Sequence, residues 1–246
     1  MRAVQVFEYG NNDKLVLTDI DTPEPSDGEV RIRIEFAGIN FIDTYMRRGM
    51  YAQNRAYGTN LPLTLGMEGS GTVDSLGDGV TNFGLGERVA YCLSAGSNAE
   101  YAVVPAWKLV KVPDHIPLDC AAALMLQGCT AHYLTHSLFK LSVGQTCLIH
   151  AGAGGVGQVL IQIAKALGAN VIATAGSPKK AQISSACGAD HVILYNDQDF
   201  QTEVQKITGG EGVHIVYESV GKATFEKSLY SLRHRGTCAL YGACLL

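Results

Sequence analysis

From Thr146 to Gly242 strands and helices alternate without interruption, and this constrains the chain more than any other feature. The apolar runs TCLIHA, NVIATA, HVILY, VHIVYES and GTCALYG read as strands, and the segments between them carry helical periodicity beginning near Gly155, Lys179, Phe200 and Lys222. Strands joined in this way pair in parallel through right-handed crossovers, so a doubly wound parallel sheet is expected. Five strands are counted, whereas a full sheet of this type has about six. A chain stopping at Leu246, just after a buried-looking strand, would leave an apolar sheet edge open, so the sequence reads as cut rather than finished.

The first half has a different grammar. RAVQVFEYG, EVRIRIEFAGI, GTVDSLGDGV, GERVAYC and AEYAVVPAWKLVKVP are short strand-like runs between turn residues, which predicts a β-rich unit. An apolar helical stretch, DCAAALMLQGCTAHYLTHSLF, then opens the alternating half. The predicted organisation is therefore a β-rich domain over residues 1–125 and an α/β domain over 126–246, with no internal repeat or low-complexity segment.

Composition narrows the function classes. With 47% hydrophobic and 17% charged residues the chain is a globular protein rather than a disordered one. A net charge of -4 without a Lys/Arg cluster gives no footprint for nucleic acid or an anionic membrane. No signal core or membrane-length apolar run occurs, and a cytoplasmic location is expected. The seven cysteines, Cys92, Cys120, Cys129, Cys147, Cys187, Cys238 and Cys244, form no CxxC pair, and most are expected to be reduced, partly buried thiols.

The chemistry is carried first by Gly152-Ala153-Gly154-Gly155-Val156-Gly157, a complete GxGxxG between the strand TCLIHA and the helix GVGQVLIQIAKALGA. Gly152 permits the turn, Gly154 lets the backbone approach a diphosphate, and Gly157 lets the helix pack on the strand. The diphosphate would sit on the helix N-terminus, where unpaired N–H groups favour an anion. A site for the non-phosphorylated coenzyme carries an acid at the end of the second strand, about 20 residues on, to hold the ribose 2′-hydroxyl. Here that stretch reads Ala173-Thr174-Ala175-Gly176-Ser177-Pro178-Lys179-Lys180, with no carboxylate, one hydroxyl and two ammonium groups. NADPH is therefore expected over NADH, with at least one of the lysines on the 2′-phosphate.

With these features in view, the chain resembles the medium-chain dehydrogenase/reductase superfamily, in its zinc-free quinone oxidoreductase, or ζ-crystallin-like, branch. The segments that carry the resemblance are Ala37 to Tyr51 (AGINFIDTYMRRGMY), Leu65 to Val73 (LGMEGSGTV), Gly86 to Val89 (GERV), the GAGGVG turn, Gly188 to Tyr195 (GADHVILY) and Tyr217 to Gly221 (YESVG). The resemblance implies α/β architecture: a GroES-like β-rich N-terminal catalytic domain, then an incomplete Rossmann sheet, with NADPH in the cleft between them. It implies that Gly176, Ser177 and Lys180 lie at the 2′-phosphate, Tyr195 beside the adenosine end and Ser219 near the ribose. Asn40, Asp43, Tyr45 and Tyr51 would line the nicotinamide and substrate side, with Gln127 and Thr130 where a helix approaches the nicotinamide. Asp43 is equally readable as an ordinary helix N-terminal carboxylate.

No metal is expected. Zinc-dependent relatives use a Cys, a His and a third ligand on the connecting helix, whereas Asn40, Met67 and Gln127-Gly128 stand in those places. Between Arg88 and Glu100 only Cys92 occurs, which leaves no four-cysteine lobe. His132 and His136 share a helix face, but Tyr-Leu-Thr lies between them and no third ligand is in sight, so local hydrogen bonding is the expected role.

Without a Lewis acid the pocket suits an acceptor that takes hydride readily, a quinone or an activated alkene, with Tyr45 or Tyr51 on the developing oxyanion. NADPH-dependent quinone reduction is the leading expectation. Alkenal or enone reduction differs only in substrate, and a non-catalytic nucleotide-binding or structural protein is the reading that an early chain end would favour. In the family the remaining segment completes the sheet and supplies part of a homodimer interface, so dimerisation of the chain as given is in doubt. No GxSxG elbow is present, which argues against a hydrolase.

Overall fold

The computed structural model describes residues 1–53 and 60–242. Cys244 lies outside the described residues. The chain divides into two compact units, Met1–Leu126 and Gln127–Leu246.

In the first unit the strands are β1 (Arg2–Val6), β2 (Val16–Asp19), β3 (Glu29–Ala37), β4 (Leu63–Thr64), β5 (Glu68–Leu76), β6 (Arg88–Cys92), β7 (Tyr101–Pro105) and β8 (Val110–Lys111). One helix, α1 (Phe41–Arg47), follows β3, and a second, α2 (Leu118–His132), ends the unit and carries the division within it. A five-stranded sheet runs β7-β3-β5-β6-β8 and a three-stranded one β2-β1-β4, every pairing antiparallel. Alternation sets the core. Val30 and Ile32 of β3 point inward with Val73, Val89, Tyr91, Ala102 and Val104, all buried. The run AEYAVVPAWKLVKVP is not one strand, because a single 3-10 turn over Ala106–Lys108 separates β7 from β8 and leaves Trp107 exposed.

The second unit is a five-stranded sheet of β9 (Thr146–Ile149), β10 (Asn170–Ala175), β11 (His191–Leu194), β12 (Val213–Glu218) and β13 (Leu232–Leu240), in the order β11-β10-β9-β12-β13. All its pairings are parallel. The crossovers are α3 (Gly155–Ala166), α4 (Pro178–Ala186), α5 (Phe200–Ile207) and α6 (Phe225–Tyr230). Both faces are covered, which is why the strands read as continuous apolar runs. Cys147, Ile149, Val171, Ala173, Ile215 and Tyr217 pack against Leu160, Ile161 and Ala164 of α3. The alternate residues Leu148, Ile172 and Val216 pack against Phe200 and Val204 of α5. Each fully buried aliphatic side chain contributes about 1.5–3 kcal/mol of transfer free energy, so period-two alternation fixes the register.

Three boundaries differ from the sequence expectation. The last helix starts at Phe225, because Val220, Gly221 and Thr224 form a turn bonded to the Glu218 carboxylate. β13 begins at Leu232, and an irregularity in its pairing with β12 absorbs the Arg-rich turn, where Arg235 takes φ 64°. The stretch after α2 continues as a π-helical turn over Tyr133–Leu138. Among the described residues no helix is long and apolar enough to cross a membrane.

Candidate active site

In the second unit the glycine motif forms a tight turn between β9 and α3. Ala151 takes φ 50°, and the Gly154 N–H donates to its carbonyl at 2.8 Å. A methyl on Gly152 would come within 2.8 Å of the Ala173 Cβ and the Ser184 Oγ, and one on Gly157 within 2.3 Å of the Ala151 carbonyl. Gly157 is required for the helix to approach the turn, and Gly152 for β10 and α4 to pack against it. Gly154 is different: it is exposed, it is the N-cap, and no side chain caps the helix above it. The first N–H groups of α3 therefore have no intrahelical acceptor and face a cradle that any Cβ would narrow. Gly155 packs against the Gln127 side chain, whose Oε1 would lie 2.2 Å from an added Cβ, so Gln127 is brought to this turn. Thr130 follows it by three residues on α2 and shares its face. Ala153 lends its carbonyl to the Gln158 amide at 3.0 Å, and Val156 is half-buried against the core.

The end of β10 leads into Gly176 and Ser177. Ser177 is the N-cap of α4, accepting the Lys180 N–H at 3.4 Å, with Pro178 at the first helical position. Tyr195 lies over Gly176, its Oη 2.5 Å from where a Cβ would stand, and Asn196 donates to the Gly176 carbonyl at 2.7 Å. Gly176, Ser177, Lys180 and Tyr195 thus form one patch, with both Lys179 and Lys180 exposed. Ser219, at the end of β12, is buried, and its Oγ has no hydrogen-bond partner among the described residues.

In the first unit, Asn40 is the N-cap of α1 and Asp43 the third helical residue, and the Asp43 Oδ2 accepts the Asn40 backbone N–H at 2.8 Å. Glu68, only 1% exposed, accepts the Asn40 Nδ2 at 2.7 Å on one oxygen and the Leu126 N–H at 2.7 Å on the other. A Cβ on Gly38 would fall 1.9 Å from Glu68 Oε1, so a glycine there makes room for the carboxylate. Burial raises the Glu68 carboxyl above its ordinary range, against the pull of the Asn40 and Leu126 bonds. Burial, helped by the charge of Glu68, pushes Asp43 up to about 6, against the backbone amides of Asn40, Gly66 and Met67. Tyr45 and Tyr51 meet edge to face, their ring centroids 6.1 Å apart, and Phe41 lies 6.5 Å beyond Tyr45.

Sequence reasoning missed Glu68, His150, Glu218 and Ser228. The signals were present: Glu68 is a lone acid in the buried run LGMEGSGTV, and His150 and Glu218 are polar residues closing apolar strands at their C-terminal ends, where such sheets place ligands. His132 and His136 stack at 4.2 Å, and His136 bonds the His132 carbonyl at 3.1 Å. Among the described residues no group of three or more His, Cys, Asp or Glu is placed to hold a metal.

A parallel sheet whose first strand ends in an uncapped glycine turn defines a dinucleotide-binding fold, and here an antiparallel β unit precedes it in the chain. The family model described as alcohol dehydrogenase GroES-like domain matches residues 26–114, and the one described as zinc-binding dehydrogenase matches residues 155–245. A 2-haloacrylate reductase of a Burkholderia species is 42% identical over 98% of this chain and 72% of its own length. The quinone oxidoreductase of Pseudomonas aeruginosa is 41% identical over 98% of this chain and 73% of its own. The crystal structure of Escherichia coli quinone oxidoreductase complexed with NADPH superposes with a TM-score of 0.93 at 36% identity, covering 99% of this chain and 73% of that one. The chain belongs to the medium-chain dehydrogenase/reductase superfamily, in its quinone oxidoreductase branch. Its two units are the GroES-like and Rossmann-like parts of that architecture.

Proposed function

We propose that the protein is an NADPH-dependent reductase that acts on quinones without a metal. The observation that carries this reading is the end of β10, where no carboxylate stands and Ser177 with the exposed Lys179 and Lys180 follows an uncapped phosphate turn. The α3 amides and the positive end of that helix hold the diphosphate, Lys180 holds the 2′-phosphate as a point charge, and Tyr195 covers the adenosine side over Gly176. The buried, unpartnered Ser219 hydroxyl is available to the ribose. Bound NADPH supplies the hydride, two electrons and one proton, and solvent supplies the second proton that completes a hydroquinone.

The β unit contributes orientation. Glu68 fixes the Asn40 amide through Nδ2, and Asp43 fixes the Asn40 backbone, so Asp43 works through Asn40 and not on the substrate. Tyr45 and Tyr51 present aromatic faces to a planar acceptor and a hydroxyl to the oxygen on which charge develops. A second reading, reduction of an activated alkene, is favoured by the 42% identical relative named as a 2-haloacrylate reductase. There hydride would reach the β-carbon and a proton the α-carbon.

Titration with NADPH and NADH, followed by coenzyme oxidation with a 1,4-quinone, an enone and a 2-haloacrylate, tests both readings. Tighter NADPH binding with quinone turnover is expected. Equal affinity for the two coenzymes overturns the cofactor assignment, and turnover of the alkenes alone selects the second reading. Lys180→Ala is expected to weaken NADPH about tenfold while leaving NADH affinity unchanged, reflecting one lost charge-assisted contact.

A further inference from the structure

Behind the phosphate turn lies a buried polar chain whose own four residues are not among those assigned to the coenzyme. His150, Thr174, Glu218 and Ser228 are each 1% exposed or less. The His150 ring meets the Thr174 Oγ1 at 3.1 Å through Nδ1 and the Ser228 Oγ at 2.9 Å through Nε2. Ser228 donates to the Glu218 Oε2 at 2.6 Å, and the other Glu218 oxygen accepts Val220 N, Gly221 N and the Thr224 hydroxyl at 2.8, 3.1 and 2.9 Å. The Thr174 Oγ1 accepts the Ala151 N–H at 3.3 Å, and the Thr174 carbonyl accepts the Gly152 N–H at 3.0 Å. Phe200 closes the remaining side of the imidazole, edge to face at 4.9 Å.

The protons in this chain have one consistent assignment. Ser228 spends its only hydrogen on Glu218, so the His150 Nε2 must carry a hydrogen and donate it to Ser228. The Thr174 oxygen already accepts from Ala151, and its own hydrogen goes to an unprotonated Nδ1. A neutral imidazole therefore satisfies every member, whereas a doubly protonated ring would confront the Thr174 oxygen with a second donor and turn its hydroxyl away. Burial, which lowers the affinity of His150 for a proton despite the charge of Glu218, agrees with this assignment.

We propose that His150, held as the neutral Nε2–H tautomer, is a positioning residue that ties the phosphate turn at Ala151–Gly152 to the Ser219–Thr224 turn through Thr174, Ser228 and Glu218. The three segments involved are the phosphate turn, the strand end before Ser177 and the turn bearing Ser219, which come from distant parts of the sequence. Chaining them through a single ring sets their spacing before the coenzyme arrives, so less ordering is left for binding. The inference rests on the NADPH reading given above.

The test uses two measurements. Nitrogen NMR of the histidine-labelled protein, with His150 assigned by its loss in His150→Gln, is expected to show a neutral Nε2–H ring at pH 7. A protonated Nδ1 overturns the bond chain. NADPH titration of His150→Gln and of Ser228→Ala, each first shown to unfold cooperatively, is expected to give roughly tenfold weaker binding, with the double variant no weaker than either single one. Wild-type affinity in a folded variant overturns the positioning role, and Ser228→Ala decides alone if His150→Gln does not fold. A wild-type protein that binds no NADPH overturns the cofactor reading instead, and the ring tautomer then still reports on the bond chain.

Discussion

Each unit buries a carboxylate completely, and the two are treated in opposite ways. Glu68 receives two hydrogen bonds, from Asn40 and Leu126, and burial leaves its proton affinity above the usual carboxylate range. Glu218 receives four, from Val220, Gly221, Thr224 and Ser228. Burial pushes the Glu218 carboxyl up as well, yet the group stays below its ordinary range, drawn down by its hydrogen-bond donors and, whenever the His150 ring takes up a proton, by that charge. Depth is the same in both cases, so the donors and charges gathered around a buried acid decide whether it keeps its charge. Asp43 is the extreme of the first kind, because burial outweighs the backbone amides around it and carries its carboxyl up to about 6.

The largest effect should come from emptying the better-satisfied site. Glu218→Ala strands two backbone amides and two hydroxyls in the interior and is expected to cost about 3–5 kcal/mol in urea unfolding, the range for removing one member of a buried polar cluster. A loss below about 1 kcal/mol would mean that the donors find other partners, and the contrast between the sites would collapse. Glu68→Gln should cost less, about 1–3 kcal/mol, because the amide keeps one acceptor and turns its NH2 toward either Asn40 or Leu126. Where that NH2 faces Asn40 the Asn40 amide loses its acceptor, and coenzyme-dependent turnover should then fall while NADPH affinity holds.

The smallest effect, and the sharpest in sign, concerns pH. Asp43 binds its proton more tightly when folded than when unfolded, so the folded state carries the extra proton between about pH 4 and 6 and loses stability as pH rises through that window. Glu218 and His150 both bind protons less tightly when folded, so they lose stability as pH falls, His150 beginning below its ordinary value of 6.5. Asp43→Asn keeps an acceptor for the Asn40 N–H and removes the buried charge. It is expected to stabilise the protein at pH 8, by less than the roughly 3 kcal/mol that the rise to about 6 represents, and to leave stability at pH 4 nearly unchanged. Equal shifts at both pH values would place the Asp43 effect in packing instead.

The sequence by itself determined the second unit's architecture and the packing reason for Gly157. Alternating apolar strands covered on both faces admit one register, and Gly157 is where the helix crowds the backbone of the turn that leaves the strand. It also placed Asn40 and Asp43 together, because a helix N-cap and its third residue are local by construction. Only the tertiary structure decided which distant groups complete those local pieces. Glu68 reaches Asn40 across 28 positions, and His150 reaches Ser228 across 78. Periodicity records which face of an element is buried, but whether a buried polar group is satisfied depends on donors brought up by other elements, and no local pattern encodes that.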